Sequence, residues 1–375
     1  MPASELHRIR DQVESGRRLS RADGELLLRP ETDLHFLGEL ADLVRRRKSG
    51  DVVYYNLNAH LNPTNVCVYR CPLCAYSCDA GDGKAYVMSD EQILARGQEA
   101  VENGCTELHI VGGIHPDKPF AWYQDILAKL RAACPSLHLK AFTAVEIAWF
   151  AEITGASIRR VLEELLAAGL GSLPGGGAEI FAAEVRRRIA PRKPGAETWL
   201  RVHRTAHELG LSSNATKLYG HGEKPEHAVD HLLQLRQLQD ETRGFQAFVP
   251  LAFHPEGTRL AHLRKPSGLT DLRMMAVSRL LLDNFDHLKA YWVSLGAATA
   301  QIALSYGADD LDGTVRYERI YHDAGSHGPQ ALSVDQLRAM IVEAGRRPVE
   351  RDTLYRRVFR EGARWMVEPP PRRST

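Results

Sequence analysis

No stretch of this 375-residue chain approaches the roughly 20 consecutive apolar positions needed to cross a bilayer. Its first ten residues, MPASELHRIR, have no apolar centre of the kind a secretory signal carries. A cytoplasmic protein without a membrane partner is therefore expected. Net charge is equally scarce: 48 Lys and Arg against 47 Asp and Glu leave +1. That is too little for a polyanion-binding face, so nucleic acid is not an expected partner, while anionic small molecules stay open. Cysteines number only six, and in the cytoplasm they are expected to be reduced. What the chain does have is 44% hydrophobic and 25% charged residues, the composition of a folded protein with a large core, in one large domain or two ordinary ones.

Half of the six cysteines fall within eight residues, in NPTNVCVYRCPLC at positions 62–74. The spacing C-x3-C-x2-C, set by Cys67, Cys71 and Cys74, suits a compact loop that aims three sulfurs at three different atoms. Three thiolates can hold three corners of a cubane iron-sulfur cluster and leave the fourth iron open for chemistry. The competing reading is a structural zinc site with Cys78 as fourth ligand, a scaffold used for folding only. Such sites usually take two paired units, and no second pair follows Cys78. Cys78, Cys105 and Cys134 otherwise read as small buried residues. The cysteine motif resembles the signature of the radical S-adenosylmethionine superfamily, which implies a 4Fe-4S cluster with S-adenosylmethionine bound through its amino and carboxylate groups on the open iron. The superfamily's aromatic residue before the third cysteine is Leu73 here.

Around this loop the chain is ordered simply. Residues 1–50 read as an N-terminal helical segment, with helices over 5–15, 21–28 and 33–47. The run Arg45-Arg46-Arg47-Lys48 suits a helix C-terminus. Residues 51–330 alternate strand and helix about eight times, with strands expected over 53–62, 107–112, 138–144, 171–174, 212–218, 245–253, 290–295 and 308–311. An α/β chain of this kind predicts a (β/α)8 TIM-type barrel. Residues 331–375 add C-terminal helices over 333–344 and 351–360, and a proline-rich tail from 368 is expected to fray.

In such a barrel the reactive groups sit on loops at the C-terminal ends of the strands. Those loops here carry the cysteines, Gly112-Gly113, Glu146, Gly175-Gly176-Gly177, His221 and His254. Gly112 and Gly113 stand where the superfamily's glycine pair contacts the methionine amino group, although Ile114 replaces the acid that often follows it. Glu146 is a candidate for ribose hydroxyls or the cofactor amine, and Gly176 opens a loop able to bind a carboxylate. His254, His221 and Arg259 are the candidate substrate ligands; Lys217 and Asp309, Asp310 and Asp312 are weaker ones.

The segments NAHLNPTN (58–65), HIVGG (109–113), KAFTAVEI (140–147) and LPGGGAEI (173–180) resemble the futalosine-pathway radical enzymes of menaquinone biosynthesis. Two related families share them, aminofutalosine synthase and dehypoxanthine futalosine cyclase. SNATKLYGH (213–221) and FVPLAFHPE (248–256) look like the synthase. That resemblance implies a transferase in which the 5'-deoxyadenosyl radical adds to the enol ether of 3-[(1-carboxyvinyl)oxy]benzoate, giving 6-amino-6-deoxyfutalosine, methionine and bicarbonate. It also implies a low-potential electron donor as partner.

Overall fold

The computed structural model describes residues 3–361 and 364–368. Three helices come first: α1 (Ala3–Glu14), α2 (Arg21–Leu27) and α3 (Leu34–Ser49). Ser20 and Asp23 form a reciprocal capping box at the start of α2, and Asp33 caps α3 by accepting from the Phe36 amide at 2.8 Å. The basic run ends α3 as expected, with Arg46, Arg47 and Lys48 in its last turn and Gly50 at φ 57° beyond it. Leu37, Leu40 and Ala41 form its buried face, which packs on a barrel helix.

The barrel strands are β2 (Asn58–Leu61), β3 (Glu107–Ile110), β4 (His138–Ala141), β5 (Ser172–Leu173), β6 (Ser212–Tyr219), β7 (Phe245–Ala252) and β8 (His287–Leu288), all parallel and in chain order. Outside them run α4 (Asp90–Glu102), α5 (Phe120–Ala133), α6 (Ala144–Thr154), α7 (Ile158–Ala168), α8 (Ala183–Ile189), α9 (Ala196–Glu208), α10 (Pro225–Thr242) and α11 (Gly268–Leu281). β9 (Asp310–Gly313) and the residues after it bring the two edges together. Lys289 bridges to Asp310 on one side and Ala59 to Arg316 on the other, with the His60 amide 2.7 Å from the Arg316 carbonyl. The expected α/β barrel is therefore present.

The first expected strand is two strands. β1 (Val52–Asn56) leaves the barrel sheet to pair with β9 and with β10 (Arg347–Glu350), and Leu57 separates it from β2. The strand expected over 290–295 is instead the short helix α12 (Trp292–Leu295), followed by α13 (Ala297–Ala303) and later α14 (Ile320–Asp323). Residues 291–295 are all buried, so their apolarity carries no period that separates strand from helix. Of the expected C-terminal helices, α15 (Val334–Glu343) forms, but 351–360 does not. There the Asp352 carboxylate takes the Leu354 and Arg356 amides at 2.9 and 2.8 Å, and Tyr355 sits at φ 60°. The chain turns and then runs into the hairpin strands β11 (Val358–Glu361) and β12 (Arg364–Val367). The expected frayed tail lies, beyond Glu368, outside the described residues.

The polar alternation inside the barrel positions the site. In β2, β3 and β4 the apolar residues Ala59, Leu61, Leu108, Ile110, Leu139 and Ala141 are at most 1% exposed and join the core shared with the helices. Their alternates point the other way. His60, His109 and Lys140 line the interior cavity in one register-matched row. A barrel interior is more often layered with branched aliphatic side chains; this one holds a cavity with a polar row along one side of it.

Candidate active site

A cavity of about 300 Å³ opens at the C-terminal ends of the strands, with Cys67, Cys71 and Cys74 on its wall. The cysteine loop after β2 is fixed by backbone bonds on every side. Cys67 N–H donates to Cys78 O at 3.1 Å, Val68 N–H to Ile114 O at 2.8 Å, Leu73 N–H to Ile189 O at 3.3 Å and Arg259 N–H to Pro72 O at 3.1 Å. Asn65 bridges the base of the loop, donating to Lys84 O at 2.8 Å and accepting from the Tyr86 amide at 2.9 Å. Within the loop Arg70 takes φ 44°, a left-handed turn unusual for a residue with a side chain. Phe142, Glu179 and Asp312, beside or on the cavity wall, also have positive φ, and such backbone is commonly held at functional sites by its surroundings.

These residues fit a cluster with one open iron. The three thiols are unbridged and face the same lumen, and burial pushes the Cys71 thiol up to about 11. Cys78 does not join them: it is fully buried off the cavity, with its thiol 3.6 Å from Asn65 O. That removes the fourth ligand on which the zinc scaffold reading depended. When bound, a cluster of this kind supplies the electron that cleaves S-adenosylmethionine reductively.

The rest of the cysteine end consists of backbone and a few ionised groups. Gly112 and Gly113 both line the cavity, pressed against the chain that leads into the cysteine loop. A Cβ on Gly112 would stand 2.9 Å from Thr64 O, and one on Gly113 would collide with the Val66 carbonyl, so only glycine lets these segments approach so closely. Glu146 also lines the cavity. Its carboxylate accepts from the Thr143 amide at 2.6 Å and is influenced by the Gly112 amide, yet burial raises its pKa to about 7. Ile114 leaves no acid after the glycine pair, whereas Glu146, in the first turn of α6, is an acid within reach of the Gly112 amide. Gly176 and Gly177 line the cavity as well. Lys193, unassigned by sequence, pairs with Glu179 at 2.6 Å; burial opposes the Glu179 charge, but Lys193 holds its carboxyl below the usual range. Both residues face the lumen.

Two of the three expected substrate ligands lie elsewhere. Among the described residues lining the cavity, neither His221 nor Arg259 is present. His221 is folded back by Gly220 and Gly222, each at φ 89°, so that Nε2 donates to Leu218 O at 3.0 Å. The Arg259 guanidinium donates to the Arg70 carbonyl and braces the cysteine loop. Lys217 likewise serves structure, holding Glu223 at 3.1 Å. His254 does line the cavity, but its Nε2–H is spent on Ser294 O at 2.8 Å, leaving a buried, unpartnered Nδ1 that can only accept. Burial lowers its pKa, so it faces the lumen neutral rather than as a cation.

Sequence reasoning missed the floor, one to three residues down each strand from these loops. His60 and His109 stack there, centroids 4.5 Å apart and 7° from parallel. Lys140 pairs with Glu107 at 2.6 Å and Lys289 with Asp312 at 2.5 Å. Of the aspartates singled out by sequence, Asp312 lines the cavity, Asp310 holds Arg351 at 2.6 Å, and Asp309 holds Arg279 at 2.7 Å. The signal for the floor was in the strands: Asn58, His60 and Asn62, then Glu107 and His109, then His138 and Lys140, alternate with apolar residues.

Comparison with known proteins places the chain in a family. The sequence model described as the radical SAM superfamily matches residues 61–235, and one described as the CofH/MqnC C-terminal region matches 242–363. In structure, methylornithine synthase superposes with a TM-score of 0.72 at 18% identity, covering 91% of this chain and 97% of that one. The molecule is a radical SAM barrel enzyme. Within that class, the aminodeoxyfutalosine synthase of Thermus thermophilus is 48% identical over 93% of this chain and 95% of its own length. That of Streptomyces coelicolor is 46% identical over 95% and 94%. The chain belongs to the aminodeoxyfutalosine synthase family, and its cofactors are a 4Fe-4S cluster and S-adenosylmethionine.

Proposed function

We propose that this enzyme joins the 5'-deoxyadenosyl group of S-adenosylmethionine to 3-[(1-carboxyvinyl)oxy]benzoate with consumption of one water, releasing methionine and bicarbonate and forming 6-amino-6-deoxyfutalosine for menaquinone biosynthesis. The observation that carries this reading is 48% identity over 93% of the chain to an aminodeoxyfutalosine synthase, in a chain whose three unbridged cysteines face one cavity. Cys67, Cys71 and Cys74 would hold the cluster. Gly112, Gly113, Glu146 and Gly176 would hold S-adenosylmethionine, with Glu146 able to accept from its amine once ionised. Leu73, Ile114 and Val145 give the lumen beside the cysteines an apolar lining that keeps water and stray hydrogen donors from a primary radical. A low-potential electron donor completes the cycle.

The C-terminal match named for CofH/MqnC keeps the cyclase reaction as the rival. The reconstituted enzyme, assayed anaerobically with a chemical reductant and S-adenosylmethionine, is expected to give the amino nucleoside by mass spectrometry from the enol-ether benzoate. Turnover of dehypoxanthine futalosine instead would replace this reading with the cyclase.

A further inference from the structure

We infer that the floor of the cavity is a carboxylate seat, built from His60, Lys140 and Lys289, and that it holds the aryl carboxylate of the substrate. This rests on the substrate class proposed above.

The floor has donors to spare. His60 is 6% exposed, and its Nε2 lies buried in the cavity wall with no hydrogen-bond partner. The parallel stack on His109 fixes the plane of that ring. Lys140 and Lys289 are each 2% exposed, and each spends one N–H, on Glu107 and on Asp312. An ammonium has three N–H groups, so each lysine keeps two unspent, on a side chain that lines the cavity. Each acid nearby already has a donor of its own: Glu107 has Lys140, Asp312 has Lys289, and Glu318 has the Tyr321 amide and His322. An ionised carboxylate only accepts, so it would take the N–H groups that the lysines have left over.

Direction along the cavity selects which carboxylate. The reacting vinyl carbon has to lie at the cysteine end, where the chemistry begins. His109 stands three residues down its strand from Gly112, roughly 10 Å at the rise of an extended chain. The ring carboxylate, at the far end of the substrate from the vinyl carbon, is the one that reaches the floor. Leu218, Val249, Leu251 and Phe253, from β6 and β7 and the turn after it, supply apolar wall for the ring between the two ends.

The test is equilibrium binding to the anaerobically reconstituted enzyme with S-adenosylmethionine present. Three probes are used: 3-methoxybenzoate, its neutral analogue 3-methoxybenzamide, and 2-methoxyacrylate, which carries only the vinyl carboxylate. His60→Phe keeps the ring stack and removes the nitrogens; a Glu107→Gln, Lys140→Met double variant removes a lysine without stranding its acid. Each is expected to weaken 3-methoxybenzoate roughly tenfold or more, the scale of a lost charge-assisted hydrogen bond. The benzamide and the acrylate should stay within about twofold. Unchanged benzoate affinity in both variants overturns the seat, as does equal weakening of benzoate and benzamide. Selective loss of the acrylate overturns the aryl assignment. If the wild type binds no 3-methoxybenzoate yet still forms the amino nucleoside, the seat fails while the proposed reaction stands; failure of the reaction with benzoate binding intact is the reverse case.

Discussion

The two ends of this one cavity are built by opposite means. At the cysteine end the shape comes from backbone. Loop carbonyls and amides interlock around Cys67 to Cys74, and two glycines let strands and loops press together where no side chain fits. At the floor it comes from side chains on regular strands, set in a row by register: His60 opposite His109 opposite Lys140. A loop site tolerates little change in chain geometry. A strand site tolerates geometry but depends on charge balance, because its ion pairs are taken out of water. The contrast teaches where each kind of substitution should hurt.

The largest effect belongs to the cysteine end. Cys71→Ala should abolish both the absorbance near 400 nm expected of iron-sulfur charge transfer and nucleoside formation, whereas Cys78→Ala, whose thiol is turned away on Asn65, should keep iron. Iron and sulfide analysis after anaerobic reconstitution checks both. Iron bound in full by the Cys71 variant would contradict the three-sulfur site.

Breaking one partner of a floor pair comes next, and it should cost stability first. Lys140 and Glu107 are 2% and 1% exposed, and a buried ion left without its partner costs about 3–5 kcal/mol. Glu107→Ala should therefore lower the denaturation midpoint strongly. Removing Lys140 as well should restore much of the loss, an outcome that a denaturant titration of single and double variants reads directly. An additive double variant would show that the two side chains do not interact.

A third effect is smaller and depends on pH. Glu223, between the two glycines that turn His221 aside and α10, accepts from the Gly220 and His221 amides and from Lys217. Burial opposes its charge, but Lys217 and His221 outweigh that and hold its pKa at about 2. A carboxylate with its pKa depressed in the folded state stabilises above its unfolded value near 4.5 and loses that contribution as pH falls toward 2. At neutral pH the shift corresponds to about 3 kcal/mol as an upper bound. Glu223→Gln should lower stability at pH 7 and leave a shallower pH dependence between 5 and 2 than the wild type. Parallel curves would remove Glu223 from that account.

How much of this was legible depended on what kind of signal carried it. The cysteine loop, the glycine pair and the alternation of strand and helix are local patterns, and they led to the barrel and one end of its cavity. The floor is written in period-two polarity, but a strand does not say which of its faces turns inward until the barrel closes. Asn58, His60 and Asn62 read equally well as a solvated face. The rim residues were hard to place for a related reason. Position on a loop does not fix the direction of a side chain, and His221 sits between two glycines in left-handed conformation that turn it into the wall. His254 reached the cavity, but the carbonyl of Ser294, 40 residues away, decides which of its nitrogens faces substrate. No local pattern contains that pairing.

The smallest expected effect closes the comparison from the rim. Sequence reasoning offered Arg259 as a cation for substrate carboxylate, and the structure turns its guanidinium onto the Arg70 carbonyl, outside the cavity. The bond that most constrains the cysteine loop at this point is made by the Arg259 amide to Pro72 O, and any residue retains an amide. The side chain is exposed, where a hydrogen bond contributes little net stability. Arg259→Ala should therefore leave KM for the enol-ether benzoate within about twofold of wild type and cost under about 1 kcal/mol of stability. A tenfold rise in KM with unchanged iron content would return Arg259 to the substrate, and with it move the carboxylate from the floor to the rim.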